Sequence, residues 1–123
     1  MKERFALGLD FGTNSCRSLI IDLGSGEELG EQVFDYPSGQ EGVLIDVKDP
    51  NVARQNPQDY IDGLTAVVRG AISQAKRKNP QFTPENIVGI GVDTTGSTPI
   101  PVDKNGMPLG LHKEFKNNLN AMA

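Results

Sequence analysis

A carboxylate, two glycines and a run of small polar residues stand close together near the start of the chain. The segment reads Gly8-Leu9-Asp10-Phe11-Gly12-Thr13-Asn14-Ser15, and Arg17 follows it. Carboxylate oxygens are ligands that Mg²⁺ accepts, often through its own waters, and Gly12 lets the backbone turn tightly and approach a ligand. Successive N–H groups and short polar side chains suit phosphate oxygens, and a guanidinium adds a charge-assisted hydrogen bond. These residue types predict a phosphate and metal site, with Asp10 for the metal and its neighbours Gly12, Thr13, Asn14, Ser15 and Arg17 for the phosphates.

A plain hairpin turn between two strands is the alternative interpretation of this segment. Other nucleotide-binding patterns are missing from the sequence: it has no G-x-x-x-x-G-K-[ST], and Gly89-Ile90-Gly91 lacks the third glycine of a dinucleotide fingerprint. Cys16 and His112 are the only residues of their types and stand far apart, which favours a buried structural thiol over a nucleophile or a zinc ligand.

Three predicted strands surround the turn. The apolar run Phe5–Leu9 is typical of a buried strand that ends at Asp10, and Cys16–Asp22 is rich in apolar and β-branched residues. Leu29–Phe34 alternates well enough to be a third strand, and the tight connections predict an antiparallel meander. Residues 35–56 show no clear period and predict a long loop that includes a short strand at Val43–Ile45.

The clearest helix comes next. Asn56 is the predicted N-cap and Pro57 the first helical residue, apolar residues recur at helical period up to Ala75, and Asn79-Pro80 ends the helix.

Two more strands are predicted after the helix. Ile87–Asp93 is an apolar run typical of a buried strand, Thr94–Thr98 is a polar turn, and Pro99–Val102 is predicted as an edge strand. Ile87–Asp93 ends in an aspartate and a turn of small residues, as the first strand does. The order β-β-β-α-β-β implies a right-handed crossover from the helix onto a sheet.

The composition is that of one globular domain. Of 123 residues, 37% are apolar and 23% are charged, so disorder is not expected. Twelve Lys and Arg against sixteen Asp and Glu give a net charge of −4 without a basic stripe, which argues against nucleic acid as a partner. No apolar run reaches the roughly 18 residues of a membrane span, and the N-terminal run is too short for a signal peptide. With a single cysteine, the chain is predicted to be cytoplasmic.

Segment 8–15 resembles the first phosphate motif of the actin, heat-shock-70 and sugar-kinase superfamily. Two further segments are similar to the FGGY family of carbohydrate kinases: Asn56-Pro57-Gln58-Asp59-Tyr60 at the helix start, and Val88-Gly89-Ile90-Gly91-Val92-Asp93 after it. Within that family, residues 91–99 and Pro101-Val102-Asp103 resemble the members that phosphorylate L-ribulose. The resemblance covers essentially the whole chain. It implies an α/β fold with a ribonuclease-H-like mixed sheet that this chain contains only in part.

The resemblance further implies an enzyme that transfers phosphate from ATP, with Mg²⁺, to the 5-hydroxyl of L-ribulose. It implies that Asp10 faces Mg–ATP, that residues 12–15 and Arg17 surround the phosphates, and that the turn beside the sugar consists of Thr95, Gly96, Ser97 and Thr98. A catalytic aspartate, the remainder of the first domain and a second domain are expected beyond residue 123. Residues 1–123 would then be an N-terminal portion without activity of its own, and a homo-oligomer of the full-length protein is a further expectation.

Two alternatives stay open. The first is an FGGY kinase for another sugar, such as xylulose. The second is a module without sugar chemistry, either a nucleotide-binding unit of heat-shock-70 or actin type or a self-standing binding domain. The run from Gly91 to Thr98 is not expected in heat-shock-70 proteins and favours the kinase.

Overall fold

A four-stranded mixed sheet with one long helix on one face forms the centre of the molecule. The computed structural model describes residues 2–123. Met1, the first residue of the segment considered for a signal peptide, lies outside the described residues. The elements in chain order are β1 (Phe5–Phe11), β2 (Ser15–Asp22), β3 (Glu28–Asp35), β4 (Leu44–Ile45), β5 (Ala53–Arg54), α1 (Pro57–Lys78) and β6 (Ile87–Thr94). The spatial order of the main sheet is β3-β2-β1-β6, with β6 parallel to β1 and the other neighbours antiparallel. The predicted meander is confirmed, and β6 returns to the sheet after the helix and parallel to β1, as the predicted crossover requires.

Local signals account for both ends of α1. The Asn56 side chain accepts a hydrogen bond from the Gln58 N–H at 3.0 Å, which satisfies one of the free N–H groups of the first turn. At the other end the Asn79 N–H donates to the Ala75 carbonyl, after three cationic residues that favour the negative end of the helix dipole. The predicted helix is therefore confirmed at both ends.

The core lies between α1 and the inner face of the sheet. Val67, Ala71 and Ala75 are fully buried on the helix, and Phe5 and Ile20 are fully buried on the strands that face it. Because side chains alternate along a strand, residues such as Asp10 and Arg17 lie on the opposite, outer face. The two layers approach closely because Gly30 has no side chain, and a Cβ at this position would overlap the backbone of Ala71.

The strand β6 is far more exposed than predicted. Val88, Ile90 and Val92 keep 58%, 64% and 62% of their surface exposed, so the prediction of a buried strand is wrong for the described chain. The physical reason is its position: β6 pairs with β1 on one side only, and α1 lies over β2 and β3. An apolar run shows that a strand can be buried, but its neighbours decide whether it is.

Two other segments depart from the predicted elements. Residues 99–102 are not an edge strand, because they contribute only an isolated bridge between Val102 and Pro108. The predicted order β-β-β-α-β-β therefore lacks its last strand. In the predicted loop 35–56, the short strand expected near Val43 is present as β4, and it pairs with β5 in a two-stranded sheet.

Candidate functional site

The turn between β1 and β2 is held closed by its own backbone and by the segment that follows β3. The Gly12 N–H donates to the Ser15 carbonyl at 2.8 Å, and the Asn14 carbonyl accepts from the Tyr36 N–H at 2.9 Å. The Asn14 side-chain amide donates to the Glu41 carbonyl at 2.7 Å. Asn14, predicted as a phosphate ligand, thus has its amide committed to the loop that supports the turn. Thr13 and Asn14 are both solvent-exposed.

Gln55 joins this turn to the start of α1. Its Nε2 donates to the Gly12 carbonyl at 3.3 Å and to the Thr13 carbonyl at 2.8 Å. Its Oε1 accepts from the Tyr60 hydroxyl at 2.5 Å. The Gln55 backbone also exchanges two hydrogen bonds with Ala123, at 2.8 and 2.9 Å. The sequence carried no signal for this residue apart from its place directly before the helix cap.

The Tyr60 hydroxyl remains a hydrogen-bond donor at neutral pH. Burial raises the pKa of Tyr60, and the nearby Asp59 carboxylate raises it further. The phenol therefore stays protonated at neutral pH. Asp59 itself is only 3% exposed and accepts hydrogen bonds from the Ser38 N–H and hydroxyl at 3.1 and 2.9 Å.

The second predicted turn, residues 95–98, lies against the end of β1. The Thr95 N–H donates to the Phe11 carbonyl at 3.1 Å, which places this turn beside the phosphate turn. The hydroxyls of Thr95 and Thr98 are 3.2 Å apart and can hydrogen-bond each other. Ser97 has a φ of 51°, in the left-handed region that non-glycine residues seldom adopt. Strain of this kind is common where side chains are held for binding.

The two turns share one cleft. A cleft of about 550 Å³ is lined by Thr13, Gln55, Ser97 and Thr98, together with apolar residues that include Ile100. An adjoining cavity of about 430 Å³ is lined by residues 94–98 and by the rings of Phe11 and Tyr60. The structure thus brings one predicted phosphate ligand, Thr13, into a cleft with two residues of the predicted sugar turn, Ser97 and Thr98.

Asp10 and Arg17 lie elsewhere, on the outer face of the sheet. They line a groove of about 640 Å³ together with Asp93, which sequence reasoning did not single out as a site residue. The Arg17 Nε is 3.8 Å from the Asp10 Oδ2, and the side chains are 58% and 48% exposed. Gly12 marks the point where the chain passes from this groove to the cleft that contains Thr13.

The donor set on the outer face fits a hydrated magnesium ion. Asp10 and Asp93 occupy paired positions on β1 and β6 and supply carboxylate oxygens at neighbouring points of an open groove. Such a site suits Mg²⁺, which usually keeps several waters and takes only one or two carboxylates from the protein. Within residues 2–123 there is no group of three or more His, Cys, Asp or Glu side chains that could enclose a metal ion.

Cys16 and His112 take structural positions. Cys16 is 1% exposed, and burial raises the pKa of its thiol, which keeps it protonated and unreactive. The His112 Nε2 is 2.8 Å from the Asp103 Oδ2, a contact that joins the turn at 103–106 to the last part of the chain. No helix between residues 2 and 123 has the length and apolar character needed to cross a membrane.

An antiparallel meander followed by a helix and a parallel fourth strand is the architecture of the ribonuclease-H-like fold, and similar solved structures include sugar kinases. A xylulose kinase from Rhodospirillum rubrum has a TM-score of 0.64 and 19% identity, over 84% of this chain and 18% of that one. Gluconate kinase from Lactobacillus acidophilus has a TM-score of 0.52 and 16% identity, over 75% of this chain and 15% of that one. The predicted fold class is confirmed.

The chain belongs to the FGGY family of carbohydrate kinases, because the model of that family's N-terminal domain matches residues 5–118. Ribulokinase from Vibrio parahaemolyticus is 39% identical over 120 residues, which are 98% of this chain and 20% of that protein. Ribulokinase from Halalkalibacterium halodurans is 36% identical over 126 residues, covering 96% of this chain and 21% of the relative. The chain spans about a fifth of the length of these curated relatives.

Proposed function

We propose that this chain is part of a cytoplasmic, ATP-dependent kinase of the ribulokinase type, which phosphorylates L-ribulose at its 5-hydroxyl. The observation that carries the proposal is the 39% identity to a ribulokinase across 98% of the chain. The similar xylulose and gluconate kinase structures share the fold at 16–19% identity and do not bear on the sugar.

The cleft supports the proposal because phosphoryl transfer depends on holding a phosphate donor and an acceptor hydroxyl side by side. The turn at 12–15 supplies backbone N–H groups for phosphate, and the turn at 95–98 supplies hydroxyls that suit a sugar. Thr13 lines the same cleft as Ser97 and Thr98. Asp10 would hold Mg²⁺, which neutralises charge on the transferring phosphoryl group when it is bound. Arg17, which lines the groove on the outer face together with Asp10, would pair with phosphate oxygens that reach that groove.

The described residues do not complete the active site. Sugar phosphorylation needs a group that takes the proton from the attacking hydroxyl, and no carboxylate or histidine lines the cleft at Thr13. We therefore expect no turnover by residues 1–123 alone and Mg–ATP binding no tighter than about millimolar, since most of the binding surface is missing.

A chimaeric enzyme tests the proposed function. The 120-residue aligned region of this chain would replace its counterpart in the Vibrio parahaemolyticus ribulokinase, to which it is 39% identical. ADP release would be followed with L-ribulose, with D-xylulose and without sugar, after circular dichroism has shown that the chimaera is folded. We expect activity that depends on L-ribulose.

The other outcomes separate the alternatives. A folded chimaera that prefers D-xylulose would show that these residues belong to a kinase for another sugar. ATP hydrolysis that is indifferent to sugar would favour a nucleotide-binding module without sugar chemistry. Either result would overturn the ribulokinase proposal.

A further inference from the structure

We infer that Gln55 is a positioning residue that orients two backbone N–H groups of the phosphate turn toward the bound nucleotide. The inference rests on the proposed function, because it assigns to Gln55 a role in binding the phosphates of ATP. It concerns a residue outside the motif at 8–17, which lines the cleft at Thr13 and acts through the backbone of the turn.

The two ends of the Gln55 amide face different partners. The Tyr60 hydroxyl donates to Oε1, so the oxygen end of the amide faces α1 and the Nε2 end faces the turn. Nε2 carries two hydrogens, and the two carbonyls within its reach belong to Gly12 and Thr13. A flipped amide would place its oxygen against two carbonyl oxygens, and the Tyr60 hydroxyl would then have to accept from Nε2 instead of donating. The observed orientation is therefore strongly preferred.

The trans peptides of the turn set the direction of its N–H groups. The chain has no cis peptide bond among its described residues, and in a planar trans peptide the carbonyl of one residue and the N–H of the next point in opposite directions. Because Gln55 holds the carbonyls of Gly12 and Thr13, the N–H groups of Thr13 and Asn14 point away from it. Both residues are exposed, so two successive N–H groups face outward.

A pair of N–H groups with this direction suits an anion. Successive backbone N–H groups that point the same way form a concave site for anions such as phosphate. Their direction costs nothing at the moment of binding if it is fixed in advance. Two backbone hydrogen bonds to Ala123 fix the position of the Gln55 backbone, which restricts the movement of its side-chain amide.

The test uses the 123-residue chain labelled with ¹⁵N, titrated with Mg–ATP and separately with inorganic triphosphate, without sugar. Gln55→Glu keeps the side-chain shape but sets a carboxylate oxygen against the two carbonyls. Tyr60→Phe leaves the turn untouched and removes only the hydroxyl that orients the amide. Gln81→Glu makes the same charge change at an exposed position beyond α1 and is the matched control.

We expect the Thr13 and Asn14 amide signals to shift on titration, and the slope of that shift to fall about tenfold in Gln55→Glu. In Tyr60→Phe the fall should be about threefold, because the amide then loses one of the hydrogen bonds that hold it in place. Gln81→Glu should match the unchanged chain. If Gln55→Glu does not fold, Tyr60→Phe decides. Two results would overturn the inference. The first is a lack of response of these amide signals in the unchanged chain, and the second is a response in both site variants equal to that of the unchanged chain.

The chimaera adds a readout that a merely structural role would not produce. There, Gln55→Glu should raise the KM for Mg–ATP about tenfold and leave the KM for L-ribulose within about twofold. Equal increases in both constants would mean general loosening of the cleft and would also overturn the inference. A chimaera without sugar-dependent activity would count against the proposed function. The titration of the 123-residue chain would still test the role of Gln55 in orienting the turn.

Discussion

Asp10 on β1 and Asp93 on β6 lie in register on two parallel strands, so that two carboxylates of like charge stand side by side at one edge of the sheet. Asp10 also contacts Arg17 on the neighbouring antiparallel strand, at 3.8 Å. The three side chains line one groove on the outer face. This groove therefore concentrates charged groups at the strand ends beside the phosphate turn.

Replacing Asp10 by Asn should weaken Mg–ATP binding while leaving the fold intact. The change removes one candidate magnesium ligand, and the lost ion pair is half-exposed, so it should cost no more than about 1 kcal/mol of unfolding free energy. The response of the Thr13 amide signal to Mg–ATP would be measured together with the thermal midpoint. Asp62→Asn, on the exposed side of α1, makes the same charge change away from the groove. An unchanged response in Asp10→Asn would contradict a metal role for this carboxylate.

Gly30→Ala should destabilise the fold severely. A Cβ at Gly30 would overlap the backbone of Ala71, and neither the strand nor the helix backbone can move aside cheaply. We expect a loss of about 3 kcal/mol or more, at the upper end for overpacking. Gly89→Ala is the matched control, since a Cβ there meets no atom within 4 Å. Urea unfolding followed by circular dichroism measures both, and similar midpoints for the two variants would show that the helix does not sit this close to β3.

The Asp103 carboxylate should make stability fall in acid. The N–H groups of Met107 and Asn105, at 3.0 and 2.7 Å, lower the pKa of this carboxyl from its ordinary value of 3.8. Since the pKa is lower in the folded than in the unfolded chain, its contribution is present above about pH 4 and is lost as pH falls through the lowered folded value.

Asp103→Asn should therefore reduce the loss of thermal stability between about pH 5 and pH 2. Asp62→Asn should leave the slope close to that of the unchanged chain. The measurement is the thermal midpoint of each chain across this pH range. Parallel curves for the unchanged chain and Asp103→Asn would mean that these hydrogen bonds do not persist in solution.

Cys16 should be protected from thiol reagents in the folded chain. It is 1% exposed, and burial raises the pKa of its thiol, so that both access and thiolate fraction are low. We expect labelling by a disulfide reagent to be at least about a hundred times slower than in the unfolded chain. Ser73→Cys adds an exposed thiol on α1 as an internal control, and its chain should label in one fast and one slow phase. Fast labelling of Cys16 would show that the helix and sheet separate readily.

The elements that depend on neighbours along the chain could be predicted from the residues alone. The cap at Asn56, the proline at the first helical position and the stop at Asn79 locate α1 because capping and helical period are local properties. The meander followed for the same reason, since β1 and β2 are joined by a tight turn. The motif at 8–15 and the run after Gly91 indicated the FGGY family, which the match over residues 5–118 confirms.

Three features required the three-dimensional arrangement. The exposure of β6 depends on which elements lie beside it, and an apolar run contains no information about a missing neighbour. The division of the predicted phosphate residues between a cleft at Thr13 and a groove at Asp10 follows from the alternation of side chains across the sheet. Gln55 reaches carbonyls more than forty positions earlier, and a contact over that separation leaves no periodic or compositional trace in the chain.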